Sequence, residues 1–304
     1  MGDHYWGIDL GGTKIEAVVT TKFMKPVIRR RIGTEASGGY THILERIRQL
    51  IETLSLESGI VPPQLIGIGT PGRYDEGEGI MKNSNTVCLN GRDLKHDLEQ
   101  LLKRGVVLEN DANCFALAES MLGAGASLMR DPSKLAFGII LGTGAGGGIV
   151  CGGKARRGAH GIAGEWGHNE LIFGGEPCYC GRRGCVETVI SGPALERYYQ
   201  HVSDRFKPLE QIASDCDSDG AAAETIERLL FYFGKALATV INIIDPDLCI
   251  IGGGVGQVGQ LYSTLAVQAI ERHLFNSELR IPILRPCLGD SAGVFGAALL
   301  TLKP

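Results

Sequence analysis

One pattern occurs twice in this chain of 304 residues: an apolar strand, a turn rich in glycine and threonine, and a second strand. The first copy contains Asp9 and the turn Gly11-Gly12-Thr13-Lys14, and the second copy contains the glycine-rich turn 142–148. Glycine supplies the positive φ angles that tight turns require and lets a phosphate approach backbone amides. Two halves that open in the same way predict a duplicated domain, with the two turns facing each other across a cleft.

Between and after these hairpins, short buried strands alternate with amphipathic helices, which is typical of an α/β protein. Strands are predicted at 27–32, 65–69, 106–109 and 248–251, and helices at about 40–56, 93–104, 114–122, 192–201, 221–244, 260–274 and 294–302. We expect a small N-terminal α/β domain of residues 1–117 plus about 291–304. A larger C-terminal α/β domain is predicted over 118–290.

Composition excludes several classes of protein. Apolar residues make up 44% of the chain and charged residues 21%, with a net charge of −4, as in a soluble globular protein. Basic residues are dispersed except at 29–31 and at Arg156-Arg157, so a nucleic-acid partner is not expected, and no apolar run is long enough to span a membrane. Several of the nine cysteines lie in apolar segments, which predicts a cytoplasmic protein. Whether Arg156 and Arg157 contact a phosphate or only solvent stays open.

Polar residues cluster where strands of the first half end. Asn110 and Asp111 follow the strand 106–109, at the carboxyl end where open α/β sheets bind ligands, although helix capping alone would explain one of them. Asp9 ends the first strand and could hold Mg²⁺ through water, while its Asp-x-Gly-Gly-Thr motif also suits a plain β-turn. Asn83 and Asn85 suit either a loop or contacts with sugar hydroxyls.

The segment 163–187 combines potential metal ligands with carboxylates. Cys178, Cys180 and Cys185 lie within eight residues, and His168 precedes them, which matches a closed Cys₃His zinc site. Glu165 and Glu187 are interleaved with these ligands, and zinc does not need them. We therefore expect a zinc knot that forms one wall of a substrate pocket; the alternative is three unrelated thiols.

Two matches to the dinucleotide fingerprint G-x-G-x-x-G do not indicate a nicotinamide enzyme. The match at 142–147 is followed by a strand, whereas the fingerprint requires a helix. The match at 254–259 precedes a helical segment but has no convincing acidic residue on a following strand.

In this order and spacing, the motifs resemble the ROK family (repressors, open reading frames, kinases) of the hexokinase–actin–Hsp70 superfamily. The resemblance runs from Asp9-Leu-Gly-Gly-Thr-Lys14, through Glu109-Asn-Asp-Ala-Asn113 and the segment 164–187, to Ile251-Gly-Gly-Gly254. It implies two ribonuclease-H-like domains with an interdomain cleft that binds ATP, Mg²⁺ and a small-molecule hexose. It also implies a homodimer.

The resemblance further implies the role of each site residue. Asp111 matches the general base. The predicted sugar contacts are Asn85, Asn110, Asp111, Glu165, His168 and Glu187. The predicted ATP contacts are Asp9, Gly11, Gly12, Thr13, Lys14, Gly142, Thr143, Gly144, Gly146, Gly147, Gly148, Gly253 and Gly254. The zinc ligands are His168, Cys178, Cys180 and Cys185, with Asp9 at Mg²⁺. His168 could hold zinc with one ring nitrogen and a sugar hydroxyl with the other.

The motifs near the sugar look most like those of bacterial fructokinases with mannokinase activity. Trp166 and Asn169 favour this group over the N-acetylglucosamine kinases. The sequence therefore predicts a kinase that converts D-fructose to fructose 6-phosphate with ATP, with N-acetylglucosamine or glucose as alternative substrates. A non-catalytic sugar-sensing protein is a remote alternative. Only eight residues precede Asp9, which argues against the DNA-binding module of a repressor.

Overall fold

The computed structural model describes residues 4–302, which form two compact units. The first unit contains the residues up to Ala126, the segment Gly153–Ala163 and the residues from Cys287 onward. The second contains Ser127–Gly152 and Gly164–Pro286. The segment Gly153–Ala163 thus belongs with the first unit, although the sequence prediction includes it in the larger domain. The predicted domain limits themselves stay a prediction.

Strands and helices alternate along the chain as predicted. The strands are β1 (His4–Leu10), β2 (Lys14–Thr21), β3 (Pro26–Gly33), β4 (Leu65–Thr70), β5 (Arg73–Asp75), β6 (Ile80–Lys82), β7 (Gly105–Asn110), β8 (Leu135–Leu141), β9 (Ala145–Cys151), β10 (Lys154–Ala155), β11 (Leu248–Gly252) and β12 (Ile283–Leu284). The helices are α1 (Tyr40–Ser58), α2 (Leu94–Leu102), α3 (Asp111–Met121), α4 (Val186–Ile190), α5 (Gly192–Ser203), α6 (Leu209–Ser214), α7 (Gly220–Ile244), α8 (Thr264–Glu271) and α9 (Ala292–Leu299). Among residues 4–302, none of the helices combines the length and the apolar run that a membrane span requires.

The first unit is built on a sheet with the strand order β3-β2-β1-β4-β7. β1 pairs antiparallel with β2, and β1, β4 and β7 run parallel. Asp9 on β1, Thr70 on β4 and Asn110 on β7 therefore lie at or near the carboxyl ends of neighbouring strands. This is the edge at which parallel sheets bind ligands.

Two glycines of this sheet let α9 pack directly on its backbone. A Cβ atom on Gly7 would lie 2.2 Å from the carbonyl oxygen of Val294, and a Cβ on Gly67 would lie 1.8 Å from that of Ala297. On α9, a Cβ on Gly296 would lie 1.9 Å from the carbonyl oxygen of Cys114, so α3 also packs closely. The helix that carries Asp111 at its first position is therefore held close to the sheet that carries Asp9.

The second unit repeats this plan. Its strands β9, β8, β11 and β12 lie side by side in that order, with β8 antiparallel to β9 and parallel to β11. The 25-residue helix α7 packs its apolar face into the core of this unit, and the Asp219 side chain caps it by accepting hydrogen bonds from Ala221 and Ala222. The duplication predicted from the two glycine turns thus reappears in the topology of both sheets.

Two of the predicted helices begin three or more residues away from their predicted starts. α3 begins at Asp111 rather than at Cys114, because Asn110 already supplies the N-cap. The predicted helix 260–274 is shorter, since the turn Gly259–Tyr262 comes first and Ser263 caps α8.

Candidate active site

The turn after β1 is a braced hairpin with an exposed tip. The Gly11 amide donates to the Lys14 carbonyl oxygen at 2.9 Å, and the Thr34 hydroxyl donates to the Gly11 carbonyl oxygen at 2.6 Å. Gly12 and Thr13 at the tip are exposed. This part of the predicted ATP site therefore presents backbone to solvent on a fixed support, as a phosphate-binding turn requires.

Asp9 lies in a crowded, negatively charged position beside this turn. A Cβ on Gly293 would come 2.8 Å from its Oδ2 atom. Burial, together with the carboxylates of Asp111 and Glu16, raises the pKa of Asp9 to about 7 against the opposing charge of Lys14. A divalent cation would relieve this repulsion, so the surroundings of Asp9 fit Mg²⁺.

We expect Asp9→Asn to change the pH dependence of stability. In the native state Asp9 keeps its proton up to about pH 7, whereas a carboxyl with the ordinary pKa of 3.8 ionises earlier. The native state therefore loses stability relative to the unfolded state as pH rises from about 4 to 7, and each unit of pKa shift corresponds to about 1.4 kcal/mol. Asp9→Asn should remove this loss, so its advantage in free energy of unfolding should grow with pH by a few kcal/mol.

Urea unfolding at several pH values, in a metal chelator and without nucleotide, measures this difference. Asp217→Asn, at an exposed carboxyl, is the matched control and should follow the wild type. A constant difference between Asp9→Asn and wild type from pH 4 to 7 would contradict a raised pKa at Asp9.

Asp111 stands at the junction of β7 and α3, where the N-cap residue Asn110 shapes the backbone. The Asn110 Oδ1 atom accepts hydrogen bonds from the amides of Ala112 at 2.9 Å and Asn113 at 3.3 Å, and its Nδ2 donates to the Gly72 carbonyl oxygen at 3.1 Å. Asp111 is half-buried, and its Oδ1 accepts from the Ala112 amide at 2.8 Å. The structure thus places Asp111 at the carboxyl end of a parallel strand, while its neighbour Asn110 has protein partners for both polar atoms.

The loop that carries Asn85 lies at the same edge of the first unit. A Cβ on Gly72 would lie 2.7 Å from the Ser84 amide, and Gly72 is also the partner of Asn110. Asn85 is exposed, and the neighbouring Thr86 hydroxyl is buried without a hydrogen-bond partner among the described residues. The structure therefore brings the Asn85 loop close to Asn110, as a shared ligand site requires.

In the second unit, the predicted glycine turn 142–148 is shorter than expected. The Gly142 amide bonds to the Gly144 carbonyl oxygen at 2.9 Å and closes the turn, and β9 begins at Ala145. Gly146, Gly147 and Gly148 are therefore strand residues that pair with β8, which corrects their predicted place in the turn.

Gly253 and Gly254 follow β11 beside the shortened turn. A Cβ on Gly253 would lie 2.2 Å from the Leu141 carbonyl oxygen, and a Cβ on Gly142 would lie 3.8 Å from the Gly254 amide. Of the predicted ATP contacts in this unit, Gly142, Gly253 and Gly254 thus meet at the carboxyl ends of β8 and β11.

Gly147 of β9 and Gly167 let the segment 164–167 pack closely on the strand. A Cβ on Gly147 would lie 2.8 Å from the Gly164 carbonyl oxygen, and a Cβ on Gly167 would lie 1.8 Å from that of Ala145. Trp166 anchors this segment, because its ring is 3% exposed and its Nε1 donates to the Gly146 carbonyl oxygen at 2.9 Å. By sequence, Trp166 favours the fructokinases; in the structure its buried ring supports this loop.

The four predicted zinc ligands come together in the second unit. One ligand atom from each of His168, Cys178, Cys180 and Cys185 lies within 4.8 Å of the others. The Sγ atoms of Cys180 and Cys185 are 3.6 Å apart, and His168 Nδ1 is 3.5 Å from Cys178 Sγ. Sulfurs at 2.3 Å from a tetrahedral zinc ion would be about 3.8 Å apart. The donor set and its spacing therefore fit zinc.

The Cys₃His cluster lies next to two of the predicted sugar contacts. His168 Nε2 is 3.1 Å from the Tyr179 hydroxyl, so the ring nitrogen that faces away from the thiols already has a polar neighbour. Glu187 lies in the first turn of α4, and its Oε2 accepts a hydrogen bond from the Ala145 amide at 2.9 Å. This hydrogen bond links the cluster to the glycine turn. Glu165 is exposed at the start of the Trp166–His168 turn.

Two residues that sequence analysis did not assign to the site pair beside Asp111. Glu109 precedes Asn110 and is buried, and its Oε2 accepts from Arg157 Nε at 2.7 Å. A carboxylate at the end of a buried strand needs a cation, but Glu109 and Arg157 are 48 positions apart in the sequence, which conceals that Arg157 supplies it.

Comparison with known proteins identifies the family of this chain. The model of the ROK family matches residues 5–303. The chain belongs to the ROK family. This confirms the resemblance stated from the motifs, and the fold is that of the hexokinase–actin–Hsp70 superfamily.

Individual ROK proteins match over nearly the whole chain. An N-acetyl-D-glucosamine kinase of Aliivibrio fischeri is 34% identical, with 98% of this chain and 99% of that protein covered. The N-acetylgalactosamine kinase AgaK of Shewanella sp. strain ANA-3 is also 34% identical, with 97% and 96% covered. The crystal structure of a ROK glucokinase from Streptomyces griseus, in complex with glucose and AMPPNP, is 30% identical with a TM-score of 0.78, and covers 98% of both chains.

Proposed function

We propose that this ROK protein is an ATP-dependent kinase of N-acetylated hexosamines, with N-acetylglucosamine as its preferred substrate. The observation that carries the proposal is the 34% identity, over nearly full length, to kinases of N-acetylglucosamine and N-acetylgalactosamine. The ROK glucokinase bound to AMPPNP, an ATP analogue, supports ATP as the donor. The prediction of fructose is not confirmed, and these relatives favour the alternative that sequence analysis named.

In the proposed reaction, Asp111 accepts the proton of the sugar hydroxyl that attacks the γ-phosphoryl group. Phosphoryl transfer has a loose transition state, so this proton leaves late and an ordinary carboxylate suffices. Asn85, Asn110, Glu165, His168 and Glu187 are proposed to orient the sugar hydroxyls. Orientation is a large part of such catalysis, because the protein performs little covalent chemistry.

The two glycine turns are proposed to bind the nucleotide. Backbone amides at Gly11 and Gly12, with Thr13 and Lys14, would contact phosphate oxygens, and Gly142, Thr143, Gly144, Gly253 and Gly254 would line the rest of the ATP site. Asp9 would hold Mg²⁺ through water, and the ion would neutralise phosphate charge. Gly146, Gly147 and Gly148 leave this set, because they are strand residues of β9.

We assign the Cys₃His cluster to a structural zinc ion. His168, Cys178, Cys180 and Cys185 would hold it, and all four positions would then be protein ligands, as in closed sites. His168 would be fixed with its Nε2 atom directed away from the thiols. The ion would thereby set the position of Glu187, which follows Cys185 by two residues.

Steady-state kinetics with ATP and Mg²⁺ test the substrate. N-acetylglucosamine, N-acetylgalactosamine, glucose, mannose and fructose are compared one at a time by the release of ADP. We expect kcat/KM to be highest for N-acetylglucosamine, and at least tenfold above that for fructose. A preference for fructose or glucose would keep the family and overturn the proposed substrate. The homodimer stays a prediction that light scattering during size-exclusion chromatography can check.

A further inference from the structure

Arg157 lies on the segment Gly153–Ala163. This segment follows β9 in the sequence but belongs to the first unit. The Arg157 guanidinium makes three contacts there. Nε donates to Glu109 Oε2 at 2.7 Å, Nη2 donates to the Leu108 carbonyl oxygen at 2.6 Å, and Nη1 lies 3.3 Å from Glu76 Oε1. Two of the three contacts therefore join Arg157 to the last residues of strand β7, just before Asp111.

The Glu109 carboxylate connects Arg157 to the residues on either side of Asp111. Glu109 is 8% exposed. Its Oε1 atom accepts hydrogen bonds from the Asn110 amide at 3.0 Å and from Asn113 Nδ2 at 3.0 Å. Asn110 in turn caps α3 with its own side chain. The Glu109 carboxylate thus bonds to residues on both sides of Asp111, one before it and one after it.

The charge of Glu109 makes this arrangement dependent on Arg157. Among residues 4–302, Arg157 is the basic side chain that forms an ion pair with Glu109. A buried carboxylate that loses its cation is strongly destabilised, and it relieves this by taking up a proton or by turning toward water. Either response would weaken the bonds from Asn110 and Asn113 and loosen the turn between them.

We infer that Arg157 is a positioning residue for Asp111, acting through Glu109. The inference rests on the proposed kinase function for its catalytic part, and on the contacts alone for its structural part. It also answers the question left open by the sequence, since Arg157 is engaged with a protein carboxylate. Arg156, its exposed neighbour, offers a matched control with the same charge and sequence surroundings.

The test compares Arg157→Gln, Arg157→Lys, Arg157→Ala and Arg156→Gln in the full-length protein. We expect Arg157→Gln to lower kcat about 100-fold, the cost of misplacing a catalytic group by about 1 Å, while KM for ATP changes less than about threefold. Arg157→Lys should recover part of kcat, because it restores the charge but not the second hydrogen bond. Added guanidinium should partly restore kcat in Arg157→Ala but not in Asp111→Asn. Arg156→Gln should match the wild type.

A measurement that does not depend on enzyme turnover distinguishes failure of this inference from failure of the proposed function. Hydrogen exchange of the Ala112 and Asn113 amides should be at least tenfold faster in Arg157→Gln than in wild type or Arg156→Gln. Adding Glu109→Gln to Arg157→Gln removes the unpaired charge, and should restore stability without restoring kcat. Unchanged exchange at these amides in Arg157→Gln would overturn the inference whatever the substrate proves to be. So would a kcat in Arg157→Gln equal to that of Arg156→Gln.

Discussion

Replacing Asp111 with asparagine is expected to lower kcat by about 10²- to 10⁴-fold with N-acetylglucosamine, the range that a general base contributes. Asparagine has nearly the same shape and can still accept the Ala112 amide, which bonds to Asp111 Oδ1 at 2.8 Å. It cannot take the proton of the attacking hydroxyl. The loss should therefore fall on kcat, and sugar affinity measured by calorimetry should stay within a few fold of the wild type.

The control for this substitution is Asp93→Asn. Asp93 also stands at the start of a helix in the first unit, where its carboxylate accepts the His96 amide, and asparagine is an equally good N-cap. This variant should keep the kcat of the wild type. Turnover in Asp111→Asn within tenfold of the wild type would remove Asp111 from the proposed mechanism.

Cys180→Ser is expected to empty the metal cluster and to destabilise the second unit. Serine is a poor zinc ligand, and a closed site that lacks one of four thiolate or imidazole ligands binds zinc far more weakly. Zinc measured by plasma emission spectroscopy should fall from about one ion per chain to nearly none. The unfolding temperature should fall by several degrees, and kcat/KM for the sugar by about 10- to 100-fold, because His168 and Glu187 lose their support.

Cys151→Ser provides the comparison, since Cys151 is an exposed free cysteine at the end of β9 in the same unit. It should retain zinc, stability and activity. Zinc content near one per chain in Cys180→Ser would disprove its role as a ligand. Full activity in metal-free wild-type protein would show that the cluster does not support the sugar site.

The fold could be predicted largely because its signals are local. Each half opens with an alternating strand, a glycine turn and a returning strand, and these hairpins reappear as β1–β2 and β8–β9. The Cys₃His cluster could be predicted for the same reason, since three of its four residues lie within eight residues. Such features depend on spacing within short segments, which the sequence displays directly.

The corrections arise where a residue type serves packing rather than chemistry. Gly146 to Gly148 suggest a phosphate turn by composition, yet they pair with β8, and the missing side chain of Gly147 makes room for the segment that carries Trp166. Trp166 is a motif residue that favours fructokinases by sequence, and its ring is buried against Phe137. Sequence alone does not distinguish a glycine beside a ligand from a glycine beside another backbone.

The pair of Glu109 and Arg157 was missed for a different reason. Each residue is unremarkable in its own segment, and only the tertiary fold brings them within 2.7 Å. The choice of sugar is equally hard to predict, because one hydroxyl or acetamido group changes transition-state binding by only a few kcal/mol. Such differences depend on side-chain placement that spacing does not encode.

The central claim, that this ROK protein transfers a phosphoryl group from ATP to an amino sugar, is tested most directly by identifying the product. The purified protein is incubated with MgATP and N-acetylglucosamine, and ADP and the sugar product are quantified by mass spectrometry. We predict one N-acetylglucosamine phosphate for each ADP, with neither formed by Asp111→Asn at a comparable rate. ADP that appears without phosphorylated sugar, or no ADP with any hexose, would contradict the claim.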